Sequence, residues 1–347
     1  MADDRTPTRS ASFRRAAMTT PGLLIVFTEG DRVRGLGHVS RCSAYAEGWL
    51  LRGGQVCWVL DGDAVAVAAI GPGQDVIRRR WQEDGEIPSG LRAEIALVDS
   101  YVASAEAMAT IASNSDVTVF IDDLGSSYPS GVVVHPAPDR PAAERCGSER
   151  VLNGPSWQPL RPPFWDLPER LAVRPDIERI LVIFGGGDLH GIGVPIALLA
   201  RQACPAASID LVLGAGQPAP PVMPGVSVHQ AIDAAAMASL MQAADIAISS
   251  AGQTVFELAR CGTPAILVGT AANQKANLDH WPALSGYIVA GVWGATDLEA
   301  RVKAAMAQLR DPVVRQSIGA RAAGVVDGQG VRRLFDHLER FRVQEHV

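Results

Sequence analysis

The sequence predicts an α/β protein made of two successive halves, each a parallel sheet covered by helices. Three observations carry this reading. Short apolar bursts recur along the chain, each followed by a loop and a stretch of helical spacing. The bursts are continuous rather than alternating, as strands buried on both faces require. A proline-rich segment at residues 152–178 interrupts the rhythm, which then restarts. A length of 347 residues fits two domains.

The elements follow in order. Leu23-Leu-Ile-Val-Phe27 reads as a buried strand, followed by a polar loop from Gly30 to Gly37. Val39, Cys42, Ala46, Trp49 and Leu50 then recur at helical spacing, and Gly53-Gly54 stops that helix. Val56–Leu60, Ile95–Val98, Val117–Ile121 and Val132–Val134 are the next strands; Asp99 and Asp122-Asp123 close two of them. Residues 152–178 hold too much proline for a regular element. Ile180–Phe184, Ile209–Leu213, Val226–Val228, Ile246–Ile248 and Ala265–Val268 resume the pattern, and Leu334, Phe335, Leu338 and Phe341 mark a closing helix. The expected units are an extension at 1–20, an N-terminal domain at 21–174, a C-terminal domain at 175–330 and a closing helix at 331–347. The cleft between two such halves is the default ligand site, because strand ends and helix N-termini face it.

Composition excludes several classes. The net charge is −6 with no long basic run, which argues against a nucleic-acid binder. Only Lys275 and Lys303 are lysines, so the basic residues are almost all arginine. No stretch of 18 apolar residues suggests a membrane span. Five scattered cysteines without a C-x-x-C spacing read as a reduced, cytoplasmic chain. The first 20 residues lack the apolar core of a signal peptide and read as a disordered or misassigned extension, with Met18 the alternative start.

Four segments could carry chemistry. In Arg34-Gly35-Leu-Gly37-His38-Val-Ser-Arg41-Cys42, the glycines allow close backbone approach to a ligand, and His38 falls in the first helical turn. That position biases the imidazole toward its neutral form, able to accept a proton near pH 7. A packed or capping histidine is the plain alternative. In Ser250-Ala-Gly252-Gln-Thr254-Val-Phe-Glu257, Ser250 and Gln253 have capping-box spacing at a small-residue turn suited to a diphosphate. Glu257 could accept from ribose hydroxyls, or be an exposed residue on a well-capped helix. Asn273-Gln274 offers directional donors and acceptors to a polyhydroxylated ligand, or is an ordinary polar loop. Gly185-Gly186-Gly187-Asp188 permits approach to phosphate, or is only a tight turn. Asp122-Asp123 has no second acidic cluster at metal spacing, so neither a metal nor another cofactor is expected. No G-x-S-x-G or P-loop lysine supports acyl transfer or NTP hydrolysis.

Taken together, these segments with Val98-Asp99-Ser-Tyr101, Ile121-Asp122-Asp123-Leu124, Leu152-Asn-Gly-Pro155, Leu160-Arg-Pro162, Gly262-Thr-Pro264 and Asp327-Gly-Gln-Gly330 resemble the PseG-type nucleotide-sugar hydrolases of pseudaminic acid synthesis. The chain is more distantly similar to MurG-type glycosyltransferases. The matching segments span residues 25–335. The resemblance implies a GT-B architecture, two Rossmann-like domains with an interdomain cleft. It also implies metal-independent, inverting hydrolysis of a UDP-2,4-diacetamido-2,4,6-trideoxyhexose, a step toward a nonulosonic acid for flagellin or surface glycans. By that resemblance His38 activates water and Tyr101 positions the water or sugar. Gly35, Gly37 and Arg41 line the substrate, and Asn273 with Gln274 meets the sugar-phosphate region. Glu257 holds the ribose, while Gly186, Ser250, Gly252 and Thr254 lie near the diphosphate. The partners implied are the UDP-sugar and other enzymes of the nonulosonic acid pathway.

Two other functions fit the same scaffold. An inverting glycosyltransferase would favour an apolar or basic patch on the N-terminal half for its acceptor; Arg78-Arg79-Arg80 is the only tight basic cluster. A non-catalytic sugar-nucleotide binder would not need His38 in its glycine setting.

Overall fold

The computed structural model describes residues 22–89, 91–138, 150–168, 170, 173–185, 191–214 and 217–344. The first half runs β1 (Leu23–Gly30), α1 (Gly37–Leu51), β2 (Gln55–Gly62), α2 (Ala64–Ile70), β3 (Asp75–Arg78), β4 (Ala93–Asp99), α3 (Ala105–Ser113), β5 (Ser115–Ile121), β6 (Val132–His135) and β7 (Arg150–Asn153). The second runs β8 (Arg179–Ile183), α4 (Gly193–Ala203), β9 (Ser208–Leu213), β10 (Val226–Gln230), α5 (Ala234–Ala243), β11 (Ile246–Ser250), α6 (Thr254–Arg260), β12 (Ala265–Gly269), α7 (Lys275–Ser285), β13 (Ile288–Val292), α8 (Leu298–Gln308), α9 (Pro312–Val325) and α10 (Gly330–Gln344). The expected extension at 1–20 lies outside the described residues.

Both sheets are parallel. The first has strand order β3-β2-β1-β4-β5-β6-β7 and the second β10-β9-β8-β11-β12-β13. The central strands are apolar on both faces because helices cover both: Leu24, Ile25, Val26 and Phe27 are all buried, as are Ile180, Leu181, Val182 and Ile183. In register, Leu24 lies between Val56 of β2 and Ile95 of β4. In each sheet the order reverses beside the first strand, between β1 and β4 and between β8 and β11. At such a point the outgoing loops diverge and leave a crevice at the carboxyl ends.

Three strands were not foreseen. β3 and β7 are four-residue edge strands, and β13 carries Gly291 at φ 123° opposite a register shift in β12. None offers the long apolar run by which the central strands announce themselves. The proline-rich segment, expected to lack regular elements, contains the end of β7 and two single 3₁₀ turns, Pro155–Trp157 and Pro162–Phe164. Each turn starts on a proline, whose fixed φ suits a first helical position.

That segment is fastened to the second half mainly by arginines that reach backbone carbonyls. Arg260 donates to the carbonyls of Phe164 and Trp165, and Arg170 to the hydroxyl of Thr263. The fully buried Arg315 donates to the carbonyls of Leu309 and Pro175. The chain then returns: α10 packs on α1 of the first half, with the Phe335 ring 5.0 Å from that of Trp49. Gly48 leaves no room for a Cβ against Val331. Arg52 in the turn after α1 pairs with Asp336 and Glu339 of α10. No helix of the described residues is long and apolar enough to cross a membrane.

Candidate active site

The crevice of the first sheet holds a compact charged cluster. The loop between β1 and α1 is folded by Asp31, whose carboxylate accepts from the amides of Val33 and Arg34 and from Arg34 Nε. Gly35, at φ 84°, closes a bridge back to Asp31 and takes a conformation that costs other residues strain. His38 follows as the second residue of α1. Its Nδ1 lies 2.7 Å from Oδ1 of Asp99, the last residue of β4. Positions 38, 41 and 42 share one helix face, so Arg41 and Cys42 reach the same carboxylate. Arg41 Nη2 donates to Asp99 Oδ1 at 2.7 Å and Nε to Oδ2 at 2.9 Å.

Burial favours the neutral form of Asp99, but the charges of Arg41 and His38 hold its carboxyl far below the usual range. An ionised carboxylate only accepts, so His38 carries its proton on Nδ1 and, when neutral, leaves Nε2 as the acceptor. The expectation of an imidazole biased toward neutrality is corrected here. Burial does lower the His38 pKa, but the charge and hydrogen bond of Asp99 outweigh it, and Glu29 adds to the upward shift. A carboxylate at hydrogen-bond distance overrides the partial charge of a helix end.

Tyr101 packs edge-on against the His38 ring, with centroids 4.3 Å apart, and its hydroxyl donates to Asp123 Oδ2 at 2.7 Å. Burial and the Asp123 carboxylate push its phenol upward. Arg41 Nη1 also donates to Asp123. Arg41, expected to line the substrate, has a buried side chain whose guanidinium is engaged by two carboxylates. It orients Asp99 and Asp123.

The crevice of the second sheet gathers Gly185, Ser250, Gly252 and Gln274. A Cβ on Gly252 would stand 3.9 Å from Ser250 Oγ and 3.8 Å from Gln274 Nε2, and one on Gly185 would stand 4.0 Å from Ser250 Oγ. Thr254 begins α6 and is buried; Asn273 is exposed. Gln274 folds back on Thr270, accepting from its amide and donating to its hydroxyl. Gly186 lies outside the described residues. The capping box is not formed. Ser250 ends β11, no side chain caps α6, and Gln253 accepts from Gln158 Nε2 instead. Glu257 Oε1 accepts from Arg161 Nη2 at 2.9 Å, across from the proline-rich segment. Arg161 also acts electrostatically on Glu47 of α1.

Sequence reasoning missed the roles of Asp99, Asp123, Glu29, Arg161 and Asn277, which holds the Ala251 carbonyl at 2.8 Å. One signal was available. Asp99 and Asp122-Asp123 both end apolar strands, and a helix face bearing His38 and Arg41 needs such carboxylates.

Residues 224–280, from the approach to β10 into α7, match the glycosyltransferase family 28 C-terminal domain. The chain is 23% identical over 338 residues to the spore coat polysaccharide biosynthesis protein SpsG of Bacillus subtilis (strain 168), covering 92% of this chain and 98% of that protein. Among solved structures it is similar to Acinetobacter baumannii MurG, with a TM-score of 0.62 at 14% identity over 92% of this chain and 99% of that one. It is also similar to the calicheamicin glycosyltransferase CalG4, with a TM-score of 0.60 at 17% identity over 92% and 98%. The chain thus has the GT-B fold of two Rossmann-like halves, and its second half carries a segment similar to the glycosyltransferase family 28 C-terminal domain.

Proposed function

We propose that this protein hydrolyses a nucleotide-linked sugar, a UDP-2,4-diacetamido-2,4,6-trideoxyhexose, in the synthesis of a pseudaminic-type nonulosonic acid. The observation that carries the reading is the His38–Asp99 pair at the reversal point of the first sheet, with Tyr101 against the imidazole. In the reaction, the oxygen of a water attacks the anomeric carbon while Nε2 of His38 takes its proton. The bond from that carbon to the diphosphate oxygen breaks, and its electron pair leaves with UDP. Ser250, Thr254 and the backbone at Gly252 donate to the diphosphate, and Glu257 accepts from the ribose. UDP is a good leaving group, so a held water, a nearby base and diphosphate donors suffice. The similarity to SpsG and to the family 28 C-terminal domain supports a sugar nucleotide as ligand and a place in polysaccharide synthesis.

A second reading, an inverting glycosyltransferase, is favoured by one feature. Val33, Val102 and Leu124 are exposed at 83%, 63% and 56% on the three loops around Tyr101, an apolar rim suited to an acceptor. His38 would then deprotonate the acceptor hydroxyl. Incubating the purified protein with the UDP-sugar and no acceptor separates the readings. Release of UDP supports the hydrolase, strict dependence on an acceptor supports the transferase, and binding without turnover defeats both. His38→Ala should bind UDP nearly as well as the parent and turn over at least about a hundredfold more slowly. Full activity in that variant would remove the base from His38.

A further inference from the structure

Gln82 is buried in the connection between β3 and β4, on neither crevice loop, yet it touches the supports of both loops that carry the His38 cluster. Its Nε2 donates to Glu29 Oε2 and to Asp61 Oδ2, each at 2.9 Å. Its Oε1 accepts from the amide of Trp81, whose indole in turn donates to the carbonyl of Thr28. Glu29 is a buried carboxylate near the end of β1. It also accepts from Ser100 Oγ at 2.8 Å and from the amide of Tyr101 at 3.3 Å. Ser100 Oγ further accepts from the amides of Val102 and Ala103, so Glu29 anchors the whole turn that presents Tyr101. Asp61, at the end of β2, accepts from Arg34 Nη1 at 2.9 Å, and Arg34 Nε donates to Asp31 in the loop leading to His38.

We propose that Gln82 is a positioning residue for the reaction at His38: one amide, donating both hydrogens, fixes the glycine loop through Asp61 and the Tyr101 turn through Glu29. The inference rests on the hydrolase reading for its effect on turnover, but not for its effect on geometry. A carboxylate pair alone would repel and let the two loops separate; a buried amide donor between them joins them without adding charge. The two loops determine how the Tyr101 ring meets the imidazole, and a misplacement of about 1 Å in such a contact can cost on the order of a hundredfold in rate. The groups that face His38 are Asp99, Arg41, Tyr101 and, electrostatically, Glu29. None of them belongs to the segment that carries Gln82.

The test is a reversal of the donor–acceptor pair. Gln82→Glu opposes two carboxylates and should lower kcat by at least about tenfold at pH 8 while leaving UDP affinity within about twofold of the parent. Glu29→Gln removes one acceptor and should lower the imidazole midpoint of His38, read by proton NMR without substrate. Combining Glu29→Gln with Gln82→Glu places the amide at position 29 and the carboxylate at position 82, so the hydrogen bond forms in the opposite sense. This double variant should turn over at least about threefold faster than Gln82→Glu, yet fall short of the parent because the new carboxylate still opposes Asp61. The His38 ring proton, shifted by the nearby Tyr101 ring, should move in Gln82→Glu and shift back toward its parental position in the double variant. A double variant as slow as the worse single one, a parallel loss of UDP affinity, or a His38 resonance that never moves would overturn the proposal. If the parent protein releases no UDP from a sugar nucleotide, the hydrolase reading is what fails. The NMR arm then decides the positioning role alone.

Discussion

The 2.7 Å contact between His38 Nδ1 and Asp99 sets the proton chemistry of the first crevice. Because the folded pKa of His38 lies above its reference of about 6.5, this pair stabilises the fold fully below that value. The stabilisation is lost as pH rises through the folded pKa. Asp99 has the opposite sign: its depressed pKa gives stability present above its unfolded value of about 3.9, lost as pH falls through the folded value. A base at His38 must be deprotonated, so the acid limb of kcat/KM should lie above about pH 6.5. Asp99→Asn removes the charge that raises the imidazole and allows the wrong tautomer. It should move that limb to lower pH and reduce kcat by at least about a hundredfold. A pH–rate profile measures both, and a limb that stays in place would contradict the role of Asp99. The residues legible in the sequence were those marked by glycine, such as His38 between strand and helix. Asp99 was not legible as a partner. Its contact with His38 spans 61 positions, and strand pairing of β1 with β4 brings the two together.

At the scale of elements, α1 serves both the site and the join. Its N-terminal face carries His38 and Arg41, and its C-terminal half carries Tyr45, Gly48 and Trp49 against α10. Phe335 is the centre of that second contact, ringed by Tyr45, Trp49 and the guanidinium of Arg52. Phe335→Ala removes a buried aromatic ring and should cost about 3–5 kcal/mol of stability. Chemical denaturation reads this directly; a loss below about 1 kcal/mol would show that α10 docks by other means. Helical spacing at Leu334, Phe335 and Leu338 made the helix legible, but not its destination. Only packing decides that it returns to the first half. The edge strands β3 and β7 and the glycine-bearing β13 escaped sequence reading because short edge strands need little apolar surface.

At the scale of the whole molecule, Arg161 of the proline-rich segment pairs with Glu257 of α6 in the second half and acts electrostatically on Glu47 of α1 in the first. In the proposed complex, Glu257 offers its second oxygen to the ribose while Arg161 retains the first. Glu257→Ala should therefore weaken UDP binding by about tenfold or more, the size of a lost hydrogen bond to a charged acceptor. Unchanged affinity by calorimetry would contradict this assignment. His38 lies on the other half, so its substitution and this one should act on different constants, turnover and affinity.

The sequence by itself determined the α/β class, the two-part rhythm and the glycine-marked segments where loops meet strand ends. These are local properties: apolar runs for buried strands, helical spacing for covering helices, glycine where backbone must turn. The tertiary structure decided which charges meet. Asp99 with His38 and Arg41, Asp123 with Tyr101, and Gln82 between Glu29 and Asp61 are all pairs distant in sequence, brought together by parallel strands ending side by side. Burial then gave those meetings their chemical force, because a carboxylate removed from water holds its proton donors far more tightly than one left in it.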